Sequence, residues 1–130
     1  MPRVLGILGG MGPEATVDLM AKILATDTAE REQERLRIVI DCDPGALDRN
    51  AAVSGEGAPS GPALAAMTRG LVSAGAEGLL IACNSAHAWL SEVEAAAGAT
   101  ILSLIDAACD ELARQRPEVR RVGLMAGRAA

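Results

Sequence analysis

Five short apolar runs, each ended by glycine or polar residues and separated by helical repeats, constrain this chain more than any other feature. They are Val4-Leu5-Gly6-Ile7-Leu8, residues 36–40, Gly78-Leu79-Leu80-Ile81-Ala82, residues 100–104 and Val122-Gly123-Leu124-Met125. Strands that are apolar on both faces belong in parallel sheets covered by helices from both sides. After the first run, Gly9-Gly10-Met11-Gly12 makes a turn and Pro13 suits the first position of a helix. That helix is predicted over residues 13–29, with Val17, Met20, Ala21 and Leu24 on its buried face. A second, over 62–74, carries Leu64, Met67, Leu71 and Val72 and ends at a Gly75 cap. A third, capped by Asn84 or Ser85, carries Ala88, Trp89 and Val93 and stops at Gly98, and a fourth spans 106–115. The predicted class is α/β, an open parallel sheet with helices on both faces.

Composition removes several functions. Among 130 residues, 50% are hydrophobic and 22% charged, too apolar for a disordered chain. No apolar run approaches the roughly 20 residues of a membrane span, and Met1-Pro2-Arg3 leads straight into the first strand, so a cytoplasmic chain with no membrane partner is expected. Twelve basic residues stand against 17 acidic ones for a net charge of −5, and Trp89 is the sole aromatic residue. Nucleic acid is therefore not an expected partner, because neither phosphate neutralisation nor base stacking is provided for. One histidine and three dispersed cysteines, Cys42, Cys83 and Cys109, make neither a metal site nor a disulfide framework. Free thiols in a reducing compartment are expected.

Open parallel sheets bind ligands beyond the carboxyl ends of their strands. That rule selects residues 9–14, 41–49 and 83–87. Gly10-Met11-Gly12-Pro13-Glu14-Ala15 fits the dinucleotide pattern G-x-G-x-x-A, with Asp41 or Asp43 for a ribose, although Glu14 would compete with a pyrophosphate for the helix amides. A smaller anion beside Gly9-Gly10-Met11 fits as well. In Cys83-Asn84-Ser85-Ala86-His87 a thiol leaves a strand and meets a helix N-terminus, which favours thiolate and makes Cys83 a candidate nucleophile or base and the first thiol to alkylate. Asn84 and Ser85 offer donors for a carboxylate, and His87 orients the first helical turn. Cys42 reads as a small filler, and Cys109, with Ile105, Ala108 and Leu112, reads as core. The long Gly, Pro and Ser-rich stretch through Pro62 is a binding loop or a surface connection, and Arg49 within Asp48-Arg49-Asn50 could grip a distal carboxylate.

Three blocks together, Gly6-Ile7-Leu8-Gly9-Gly10-Met11-Gly12-Pro13-Glu14-Ala15-Thr16, Asp48-Arg49 and Ala82-Cys83-Asn84-Ser85-Ala86-His87-Ala88, resemble the aspartate/glutamate racemase superfamily, most closely its aspartate racemase branch. The resemblance implies racemisation without pyridoxal phosphate or another cofactor, by two cysteines from two pseudo-symmetric α/β halves. It implies that Cys83 is the first-half acid/base, that Asn84 and Ser85 hold the α-carboxylate, that Gly10 and Met11 line the pocket, and that Arg49 reads the side-chain carboxylate. Threonine is commoner in the family where Ser85 stands. By the same resemblance residues 1–118 form the first half and 119–130 begin a second half that is absent, with its cysteine. The isolated chain is then expected to be inactive and poorly stable or self-associating as a homo-oligomer. The alternatives are a non-catalytic small-carboxylate-binding module and a dinucleotide-binding domain.

Overall fold

Four parallel strands, β1 (Val4–Gly9), β2 (Arg37–Cys42), β3 (Gly78–Ile81) and β4 (Thr100–Leu102), form one sheet in the order β2-β1-β3-β4 in the computed structural model, which describes residues 4–47 and 60–126. Helix α1 (Pro13–Thr26) joins β1 to β2, α2 (Ser60–Ser73) precedes β3, α3 (Leu90–Ala97) precedes β4, and α4 (Leu104–Gln115) follows it. The chain thus runs outward from β1 to β2 and then crosses back over β1 to β3. Right-handed crossovers in opposite directions put their helices on opposite faces of the sheet.

The strand period of two sorts the side chains accordingly. Leu8, Leu79 and Ile81 point to one face, where Leu64, Met67 and Leu71 of α2 and Val93 and Ala97 of α3 bury them. Leu5, Ile7 and Ala82 point to the other, against Leu19 and Ile23 of α1. Gly6 is fixed by the first face: a Cβ there would lie 2.6 Å from Leu79 and 2.9 Å from Ala76. Helix α2 closes as the sequence predicts. Gly75 has φ +97, its amide donates to Val72 O and that of Ala76 to Leu71 O, the paired bonds of a Schellman cap.

The two faces are unequally covered. Ile40, Leu102, Ile105 and Leu112 remain between 37% and 45% exposed, and α4 has no buried residue. Its ion pair, Arg114 with Glu111, lies in solvent on the helix surface. The Arg114 guanidinium, with Gln115, keeps the Glu111 carboxyl below its usual range.

Several expectations are corrected here. Helix α1 ends at Thr26, not near Ala29, because the Thr26 hydroxyl donates to Ile23 O and the Asp27 carboxylate takes the Ala29 amide in a local turn that competes with further helix. Its inward stripe is Thr16, Leu19 and Ile23, with Val17 69% exposed, since Thr16 is anchored on the preceding turn. Residues 122–125 form no strand: they carry no regular structure, and Val122, Leu124 and Met125 are exposed, because no edge among the described residues pairs with them. Cys109 is exposed rather than core, since nothing described covers the apolar stripe of α4. Among the described residues, no helix is long and apolar enough to cross a membrane.

Candidate active site

The strand order 2-1-3-4 has its switch point between β1 and β3, so a crevice opens where these two strands end. On the β1 side the turn is built around glycine. Gly10 has φ +93, and a Cβ on it would lie 2.4 Å from the Asp43 amide nitrogen. A Cβ on Gly9 would lie 2.6 Å from the Thr16 side chain, so only glycine lets Thr16 reach back and accept the Gly10 amide at 2.9 Å. The Asp43 amide in turn donates to Gly9 O at 3.2 Å, which locks the end of β2 against this turn. Thr16, quoted in the sequence only as part of a motif, is therefore the buried peg of the turn. Thr16→Val should leave the buried Gly10 amide without a partner and cost about 1–3 kcal/mol. Denaturant unfolding followed by Trp89 fluorescence, with an unchanged slope, checks this.

On the β3 side, the Ala82 amide continues the ladder to Leu8 O at 2.8 Å, and Cys83 follows it. The segment expected to be an α-helix from Asn84 or Ser85 is instead a 3-10 turn, Ser85–Trp89, with no side-chain cap, and α3 starts only at Leu90. The physical reason is local. The His87 amide donates to Asn84 O, while its Nδ1 lies 2.9 Å from Cys83 O and 3.2 Å from Asn84 O, so the ring takes the carbonyl an α-turn would use. The turn brings a much weaker dipole to Cys83 than a long helix would.

Between these edges lies a cleft of about 370 Å³, within the range of small-molecule sites. Met11, Gly12, Ala15 and Leu19 form one wall, and Ala82, Cys83, Asn84 and Ser85 the other. Leu104, the first residue of α4, closes one side. The charged lining residues described, Asp18 and Lys22, are paired with each other. Cys83, Asn84, Ser85 and Met11 are thus brought together as the sequence suggests. Gly10 sits behind the lining rather than in it, and Arg49, with Asp48 and Asn50, lies outside the described residues. Cys42 pairs with Gly9 on the far side of β1 from β3 and is exposed, whereas Cys83 is 6% exposed. Accessibility therefore favours alkylation of Cys42 and Cys109 before Cys83, against the order expected from the sequence. Leu104 and the Asp18–Lys22 pair carry no sequence signal as site residues, because their place depends on how α1 and α4 flank the cleft.

The dinucleotide pattern has a plainer use in this geometry. The Gly10 amide is already given to Thr16, and the Asp43 carboxylate accepts the Gly45 amide at 2.8 Å, so two of the groups a dinucleotide would need are engaged.

The chain is thus an α/β protein with a doubly wound sheet, and a thiol with neighbouring amide and hydroxyl groups lines the cleft at its switch point. The chain belongs to the Asp/Glu/hydantoin racemase family, whose model matches residues 8–130. It is similar to the aspartate racemase of Picrophilus torridus, with 32% identity and a TM-score of 0.78 over 87% of this chain and 48% of that one. It also shares the fold of an aspartate racemase homologue from Pyrococcus horikoshii OT3, at 21% identity and a TM-score of 0.69, covering 88% of this chain and 50% of that one. The chain spans about half the length of these structures.

Proposed function

We propose that this chain carries one face of a cofactor-independent racemase site for aspartate or a related dicarboxylic amino acid. The Cys83 thiolate removes the α-proton on its side of the substrate, and a second group on the opposite face returns one. The Asn84 amide and Ser85 hydroxyl take the α-carboxylate, Met11 packs on the substrate carbon chain, and Gly10 shapes the turn behind it. The observation that carries this reading is Cys83 standing beside Asn84 and Ser85 in the switch-point cleft. Unbridged Cys42, Cys83 and Cys109 accord with work in a reducing cytoplasm.

Proton removal by one positioned base labels the α-carbon, but inversion needs two groups within hydrogen-bond reach on opposite faces. The 130-residue chain in D2O with L-aspartate should therefore give slow deuterium incorporation, read by mass spectrometry, and negligible D-aspartate by chiral chromatography. D-aspartate formed at enzyme-like turnover would show that a second acid/base is present in this chain or in a second copy. No deuterium incorporation above background would remove Cys83 as the base.

The second carboxylate needs its own cation. By the family resemblance that cation is Arg49, which lies outside the described residues and suits a bidentate grip. Arg49→Ala should weaken binding of L-aspartate by about 1.5–3 kcal/mol and that of L-alanine far less, measured by titration calorimetry. Equal losses for both amino acids would end the specificity role.

A further inference from the structure

His87 is buried beneath the cleft, at 9% exposure, and both of its ring nitrogens are engaged. Nδ1 faces two backbone carbonyls, those of Cys83 at 2.9 Å and Asn84 at 3.2 Å, so it must carry the proton. Nε2 lies 3.2 Å from the Leu104 amide, so it must accept. One tautomer, neutral with Nδ1–H, satisfies every contact, and it joins residues 17 positions apart in sequence. Both joined ends line the same cleft: Cys83 just after β3 and Leu104 at the start of α4.

The Leu104 amide is in the first turn of a helix, where backbone N–H groups have no partner within the helix. The Ser103 side chain caps Asp106 N instead, leaving His87 to take the Leu104 amide. Helix α4 has no buried residue to hold it in place. The ring-to-amide bond therefore ties the start of this helix to the turn after β3.

We propose that His87 is a positioning residue: a neutral imidazole strut that fixes Leu104 against the Cys83–Asn84 turn, and so sets the shape of the substrate cleft where these residues line it. Its use for substrate rests on the racemase reading above, but the strut itself is a property of this chain that can be read without any ligand. The dissection follows from side-chain geometry. In His87→Asn, the amide NH2 replaces Nδ1–H toward the Cys83 carbonyl and nothing reaches Leu104. In His87→Gln, the longer side chain puts its carbonyl oxygen near the position of Nε2 and can still accept from Leu104.

Amide hydrogen exchange at Leu104 should quicken about tenfold in His87→Asn and stay within about twofold of the parent in His87→Gln. Carbamidomethylation of Cys83 by iodoacetamide, resolved by mass spectrometry against Cys109 in the same chain, should change by at least about threefold in His87→Asn and return toward the parent rate in His87→Gln. Trp89 fluorescence reports whether each variant is folded. In the parent chain, nitrogen-15 spectra should show a proton on Nδ1 and none on Nε2 of the histidine, a readout that stands even if both variants fail to fold. The opposite tautomer, an unchanged Leu104 amide in His87→Asn, or equal effects of the two variants would each overturn the strut. Absence of L-aspartate binding with these signatures intact would overturn the racemase reading alone.

Discussion

Replacing Cys83 by alanine is expected to lower deuterium incorporation at the α-carbon of L-aspartate by about 10²–10⁴-fold, the usual contribution of a positioned general base. The substitution removes a small buried group that lines the cleft and joins the core formed with α2 and α3, so the fold should survive with a modest loss of stability. Trp89 fluorescence and the unfolding midpoint check that it does. The control is Cys42→Ala, which alters an exposed thiol across β1 from β3 and should leave incorporation unchanged. Comparable loss in both variants would mean that the chemistry does not depend on the thiol in the cleft.

The largest loss of stability is expected from Gly10→Ala, at about 2–6 kcal/mol. Two effects add. An alanine at φ +93 is strained by about 1–3 kcal/mol, and its methyl would overlap the Asp43 backbone, at 2.4 Å from N and 2.5 Å from C, forcing a shift of similar cost. Because that backbone is also bonded to Gly9 O, the end of β2 must move with it. Urea denaturation measures the cost, and a loss below about 1 kcal/mol would show that the turn can rearrange freely. Gly12→Ala is the comparison: only the Glu14 carboxylate approaches a Cβ there, at 3.2 Å, and it is the free end of an exposed side chain.

What could be read in the sequence was what depends on local period and turn chemistry. Leu64, Met67 and Leu71 lie on the buried face of α2 because a 3.6-residue repeat admits one rotation there, and Gly75 marks its end. The central strands were legible because continuous apolar runs next to glycine leave few alternatives, and strand ends in a parallel sheet gave the neighbourhood of Cys83 and Met11. The rotation of α1 was not legible. Val17, Met20 and Leu24 fit a period as well as Thr16, Leu19 and Ile23 do, and the choice is made by a hydrogen bond from Gly10 to Thr16. The 3-10 turn after Cys83 was hidden for a like reason, since it depends on the His87 ring reaching the carbonyl of Cys83. The final run, Val122 to Met125, has the composition of a strand, but a strand needs a neighbour with free backbone groups as well as apolar side chains.

The uneven covering of the sheet also couples two events that look separate. One side of the cleft, Leu104, opens α4, the one α-helix among the described residues that has no buried residue, so seating a small molecule against it restrains α4 as well. Whatever freedom α4 loses on binding subtracts from the affinity of whatever enters the cleft. By thermodynamic reciprocity, anything that covers Ile105 and Leu112 tightens binding in the cleft by the same factor by which the bound molecule tightens the cover. Leu104 thus belongs both to the helix with the uncovered apolar face and to the cleft around Cys83.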